Sequence, residues 1–154
     1  MKKNPVIGIT AEWNPFHSGH AVMIKEIRKS FPDARIISAM SGSFVQRGEP
    51  AIFDKWSRAS WSISSGVDAV FEYPALYVLQ SADSFSENAV HLLHDLGCTH
   101  IAFSTESLDK NQLFDIARWM QTEDYTARLH QELKNGLPYS RADSAAINSF
   151  SNKL

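Results

Sequence analysis

Two histidines three residues apart, His17 and His20, flank Gly19 within Asn14-Pro15-Phe16-His17-Ser18-Gly19-His20. At the start of a helix this spacing puts both imidazoles on one side, near backbone N–H groups without helical partners and at the positive end of the dipole. Such a place cradles an anion. Pro15 fixes one backbone angle of the preceding turn and removes a donor, while Gly19 lets a phosphate approach where a side chain would block it. If a triphosphate lies there, attack at one phosphorus spreads charge over the equatorial oxygens, and paired imidazoles can stabilise that charge without a protein nucleophile. No Gly-rich loop with Lys and Ser/Thr of the Walker type is present, so this cradle is of another kind. A zinc site is the weaker reading, because Cys98 is the single cysteine and no third ligand stands nearby. The bland reading leaves the two histidines as a helix cap or facing solvent.

The elements around the motif suit the anion reading. Val6-Ile7-Gly8-Ile9-Thr10 is a β-branched run of the kind covered on both faces, which predicts a central strand. A helical pattern follows to about Phe31, pairing Met23 with Ile27 and Ile24 with Phe31, and Pro32-Asp33 stops it. Ala34 to Met40 reads as a second strand, and a strand, helix, strand order with short links implies a parallel unit. Ser41 to Pro50 is then a loop at the carboxyl end of that strand, the edge where open parallel sheets bind ligands. Asp54 is placed to cap a helix whose apolar stripe would be Trp56, Ala59 and Ile63. Lys55 and Arg58 fall in its first turns, where the dipole disfavours cations by about 0.3–1 kcal/mol each unless an anion is close or water screens them.

Asp68 to Glu72 reads as a third strand closed by Pro74, with Glu72 at its carboxyl end to orient a loop or hold a metal. Ser81 caps a helix with the stripe Phe85, Ala89, Leu92 and Leu96, and Glu87, His91 and His94 align on the far, solvated face. Thr99 to Phe103 gives a fourth strand. Asp109 to Gln121 and Glu123 to Asn135 give two more helices, with Arg118, Trp119 and Arg128 as surface residues, and Ser140 to Ser151 is Ser/Ala-rich with turn character. The whole predicts an α/β, Rossmann-like domain spanning residues 1–154, with a mainly parallel sheet of four or five strands flanked by helices.

Asn14 to His20 resembles the His-x-Gly-His signature of the nucleotidyltransferase superfamily. A second block, Met40-Ser41-Gly42-Ser43-Phe44-Val45-Gln46-Arg47-Gly48-Glu49-Pro50-Ala51-Ile52, followed by Asp54-Lys55-Trp56 and Arg58-Ala59, is similar to the tRNA(Met) cytidine acetate ligase family of bacteria, and the likeness continues through Gly66-Val67-Asp68, Glu72-Tyr73-Pro74 and Gln80-Ser81-Ala82. The resemblance implies activation of acetate by ATP with Mg²⁺ to acetyl-adenylate, and acetyl transfer to the wobble cytidine of elongator tRNA(Met). It implies catalytic roles for His17 and His20, and nucleotide contacts from Thr10, Ala11, Glu12, Asn14, Gly19, Ser104 and Asn152. Gln46, Arg47, Lys55 and Arg58 would serve phosphate or tRNA. Ser104 stands where the family tends to have Gly, and longer relatives continue with a C-terminal part implicated in holding tRNA.

Composition bounds these expectations. With 154 residues, 44% of them hydrophobic, the chain can bury a real core. A formal net charge of −2 provides no global basic field, so any RNA contact needs a local patch. A single cysteine suits a reducing cytosol, Asn4-Pro5 interrupts any signal-like start, and no stretch is long enough to span a bilayer, which together imply a cytoplasmic protein. Two other classes use the same cradle: a small-molecule nucleotidyltransferase acting on a phosphorylated metabolite, and a nucleotide-binding module without catalysis.

Overall fold

In the computed structural model, which describes residues 4–105 and 109–151, the β-branched run at the start of the chain forms β1 (Val6–Ala11). The chain divides into two compact units, Met1–Ser104 and Thr105–Leu154. In the first, β1 is followed by α1 (Ser18–Ser30), β2 (Arg35–Ser41), α2 (Lys55–Ser64), β3 (Ala69–Tyr73), the short α3 (Ala75–Val78), α4 (Ala82–Asp95) and β4 (His100–Ile101). The strands pair in the order β3-β2-β1-β4, all parallel, as the α/β reading requires. β1 is central, paired with β2 from Val6 opposite Arg35 to Ala11 opposite Met40, and with β4 through Ile7 and Gly8. β4 is shorter than the Thr99 to Phe103 run, although Thr99 N–H to Val6 O and Ala102 N–H to Gly8 O extend the pairing at both ends.

Side chains alternate across the sheet, so its two faces build two cores. Ile7, Ile9, Ile36 and Met40 pack with Ile24 and Ile27 of α1. Ala39 and Tyr73 face the other way, onto Val78, Ala89 and Leu93. Each fully buried aliphatic side chain contributes about 1.5–3 kcal/mol. These contacts fix where α1 begins relative to the end of β1. Phe31, by contrast, sits at the helix end and stays 42% exposed, so Ile27 rather than Phe31 closes the stripe.

Helix α2 corrects the sequence expectation. Trp56 and Ile63 face outward, Trp56 at 75% exposure, while Arg58 and Ser62 are fully buried. The Arg58 guanidinium donates to the carbonyls of Phe53 (3.0 Å), Glu12 (2.6 Å) and Gly42. Those carbonyls lie at the carboxyl ends of β1 and β2 and ahead of α2, where no further ladder pairs them, and a buried unpaired carbonyl costs about 1–3 kcal/mol. Satisfying them outweighs burying Trp56. Arg28 does the same work at the opposite edge, donating to Ala34 O (2.5 Å), Gly66 O (2.7 Å) and the Asp68 carboxylate (2.6 Å).

After β2 the chain passes close to a carboxylate at Gly42. A Cβ on Gly42 would lie 2.2 Å from Oε1 of Glu72, and Glu72 is held by Lys55 Nζ at 2.6 Å. Gly42→Ala should therefore turn the Glu72 carboxylate away from Lys55, costing up to about 1 kcal/mol in urea unfolding for that exposed ion pair, and combining it with Glu72→Ala should cost less than the sum of the two single changes. Additive effects would show that the two side chains do not compete.

The second unit holds α5 (Lys110–Trp119), α6 (Glu123–Lys134) and α7 (Tyr139–Ser151). The Ser/Ala-rich tail is thus a helix rather than a turn segment, and Ala142 and Ala146, four apart, are its buried stripe. Trp119 is also not a surface residue, and Arg128 is half-buried. Trp119 is 9% exposed, stacks on Phe150 at 4.6 Å and donates its indole N–H to Asp124 at 2.9 Å, and Arg128 Nε donates to Ser149 Oγ at 3.1 Å.

Candidate functional site

The turn between β1 and α1 is built as a helix start. His17 is the N-cap of α1, its Nδ1 accepting the Gly19 N–H at 3.1 Å, and Nδ1 of His20, three residues on, accepts the His17 N–H at 3.2 Å. This reciprocal pair is a capping box in which histidines replace the usual Ser/Thr and Glu/Gln. The two rings stack at 3.7 Å with 20° between their planes. Gly19 lets the rings sit close, because a Cβ there would meet His17 Cε1 at 3.0 Å and the ring would have to shift by a few tenths of an ångström.

The ring of His20 is held from behind by Phe16 (5.4 Å) and Trp13 (6.4 Å). Trp13 has a left-handed φ of 43°, which costs about 1–2 kcal/mol for a residue with a side chain. Its near-complete burial, at 1% exposure, offsets that cost. Nothing in the sequence reading pointed to Trp13, since its role comes from packing behind a motif residue.

Above the histidines lies a cavity of about 470 Å³, within the usual range for a small-molecule site. It is lined by Ile9 to Glu12 at the carboxyl end of β1, by Trp13 to Pro15, His17, His20 and Met23, and by Ala102, Phe103 and Ser104 after β4. It opens between β1 and β4, where the strand order reverses direction, the place where parallel sheets bind ligands.

The residues singled out in the sequence divide into those at this cavity and those that support it. Thr10, Ala11, Glu12, Asn14, His17, His20 and Ser104 line it. Asn14 Oδ1 also accepts the Ile52 N–H at 2.6 Å and Glu12 Oε1 the Gln46 N–H at 2.7 Å, so the two motif blocks are tied together. Gln46 lines a smaller adjoining cavity with Thr10, Glu12 and Phe85. Arg47 is exposed, Lys55 is paired with Glu72, and Arg58 is buried under the loops; none of the three lines the main cavity. The expectation that Arg58 faces an anion or water is corrected by its carbonyl partners. Asn152 lies outside the described residues.

Burial lowers the pKa of His20, and the neighbouring His17 lowers it further. His20 then takes up a proton more readily in the unfolded chain than in the folded one. Stability is complete above the ordinary imidazole pKa of about 6.5 and falls as the pH drops below it toward the lowered folded value. Urea midpoints should decline over that interval, and His20→Gln should flatten the decline.

Glu87 and His91 approach only to 4.0 Å and are mostly exposed, as a solvated face would be. Among the described residues no group of three or more His, Cys, Asp or Glu side chains could hold a metal ion, and no helix is long and apolar enough to cross a membrane.

A family profile described as HIGH Nucleotidyl Transferase matches residues 4–154. The tRNA(Met) cytidine acetate ligase of Fusobacterium nucleatum is 40% identical over 149 residues, covering 97% of this chain and 37% of that protein. The ligase of the same name from Ligilactobacillus salivarius is 41% identical over 142 residues, covering 92% of this chain and 36% of the relative. Among solved structures, Thermotoga maritima TmcAL bound with alpha-thio ATP matches with a TM-score of 0.82 at 38% identity, over 97% of this chain and 37% of that one. The resemblance read from the two sequence blocks is therefore borne out, and the chain spans a little over a third of the length of these relatives.

Proposed function

The chain belongs to the HIGH nucleotidyl transferase family, and from that premise we propose that it activates acetate with ATP, forming acetyl-adenylate for N4-acetylation of the wobble cytidine of tRNA(Met). The observation that carries this reading is the pair of stacked histidines at the start of α1, at the mouth of a cavity on the sheet's switch point. The similar Thermotoga structure, described as bound with alpha-thio ATP, supports nucleotide binding.

In this reading a carboxylate oxygen of acetate attacks the α-phosphorus, the bond to the bridging oxygen breaks, and pyrophosphate leaves with the electron pair. His17 and His20 hold the phosphates as charge builds on their oxygens, and the N-terminal N–H groups of α1 add to the same field. Thr10, Ala11 and Glu12 flank the nucleotide through the end of β1, and Ser104 contacts its ribose or base. Mg²⁺ would neutralise the charge of the triphosphate. Arg47, exposed in the loop after β2, would contact an RNA phosphate.

The test is incubation of this chain with ATP, Mg²⁺, labelled acetate and hydroxylamine, which captures acetyl-adenylate as the hydroxamate. ATP-dependent hydroxamate is the expected result. Pyrophosphate release only with a phosphorylated metabolite would assign a small-molecule nucleotidyltransferase, and ATP binding without either product would assign a binding module.

A further inference from the structure

The two nitrogens of each histidine are divided between fold and ligand, in the same sense for both. Nδ1 of His17 faces the Gly19 N–H and Nδ1 of His20 faces the His17 N–H. A backbone N–H can only donate, so each Nδ1 must present a lone pair, and in a neutral imidazole the proton is then on Nε2. An imidazolium would set a second N–H against each of those donors and place two like charges in rings only 3.7 Å apart. Of the described residues lining the cavity, Glu12 at the end of β1 is the only other titratable one, and its Oε1 already accepts the Gln46 N–H. Among the described residues no lysine or arginine lines it.

We infer that His17 and His20 bind phosphate as neutral Nε2–H donors, with both Nδ1 atoms committed to the start of α1. The ligand named here rests on the proposed nucleotide function; the nitrogen assignment rests on the capping geometry alone. Its consequence is that the cradle attracts a polyanion through oriented N–H bonds and the helix dipole rather than through a net positive charge. Taking a proton onto either Nδ1 would break one of the two bonds that start the helix.

The experiment uses the wild-type chain with ¹⁵N-labelled imidazoles, in long-range ¹H–¹⁵N spectra about two pH units above the ordinary imidazole pKa. Both residues should show an unprotonated Nδ1 and a protonated Nε2, and ATP with Mg²⁺ in the absence of acetate should leave that pattern in place. A protonated Nδ1 in either ring, free or with nucleotide, would overturn the inference. A second arm separates the nitrogens by substitution. Asn sets a carbonyl where Nδ1 stood and is a favoured N-cap, whereas Gln sets an amide nitrogen near the place of Nε2. His17→Asn should keep the wild-type melting temperature and lose at least about tenfold in ATP affinity, a charge-assisted bond's worth. His17→Gln should hold affinity better and lower the folding constant by about fivefold, the size of a lost cap. Equal losses in both readouts for both variants would contradict the division. If the wild-type chain binds no ATP while both Nδ1 atoms prove unprotonated, the nucleotide reading fails and the nitrogen assignment stands.

Discussion

Alanine at both His17 and His20 should lower the rate of acetyl-adenylate formation by at least about 10²–10³-fold, the usual effect of removing even one donor that stabilises charge in the transition state. The fold should survive. Both residues sit in one turn at the start of α1, and the loss of a helix cap costs about 1 kcal/mol, a small part of the 5–15 kcal/mol that holds a typical domain. Rate and stability therefore separate cleanly. The two measurements are hydroxamate formation at saturating ATP and thermal unfolding by circular dichroism. Because catalysis here would come from position and electrostatics, the ATP affinity should fall less than the rate. A double variant that kept the wild-type rate would remove the histidines from the mechanism, whatever its affinity.

Arg58 carries the second large effect, and it acts on stability. Its guanidinium is fully buried and bonds the carbonyls of Glu12, Gly42 and Phe53, three points on three separate segments. Burial lowers its pKa, opposed by the charges of Asp54, Glu12 and Glu72, and an arginine remains charged under any ordinary condition. Arg58→Ala leaves those carbonyls without donors and should cost at least about 3 kcal/mol in urea unfolding, at about 1–3 kcal/mol for each group. Arg58→Lys should recover little, because one ammonium cannot span a fork of separate acceptors. A loss under 1 kcal/mol would mean that water replaces the guanidinium and that the residue does not clamp the loops.

The site was legible because its chemistry and its scaffold are adjacent in the chain. Val6 to Ala11 announces a buried strand by β-branching, and the motif follows at once, so strand end, turn and helix start can be placed without knowing any distant contact. The same locality made β2 and α4 readable. Helix α2 was not, because Trp56, Ala59 and Ile63 have the spacing of an inward stripe and only the tertiary structure shows that the carbonyls of Glu12 and Gly42 need a donor at Arg58. The last helix hid for another reason: α7 buries Ala142 and Ala146, side chains too small to mark an apolar face. At the site itself, the capping box was disguised, since its usual signature has Ser or Thr with Glu or Gln three residues on. Here both positions are histidine. The packing partner Trp13 and the anchor from Asn14 to Ile52 depend on folded geometry and leave no local signal.

The most direct measurement is acetate-dependent exchange of labelled pyrophosphate into ATP, with Mg²⁺ and without tRNA, on the wild-type chain and on the His17→Ala, His20→Ala double variant. Exchange that requires acetate in the wild type and drops by at least about 10²-fold in the variant is the predicted result. No exchange in the wild type, or exchange that the variant retains, would contradict the claim that this cavity and its two histidines form an adenylating site.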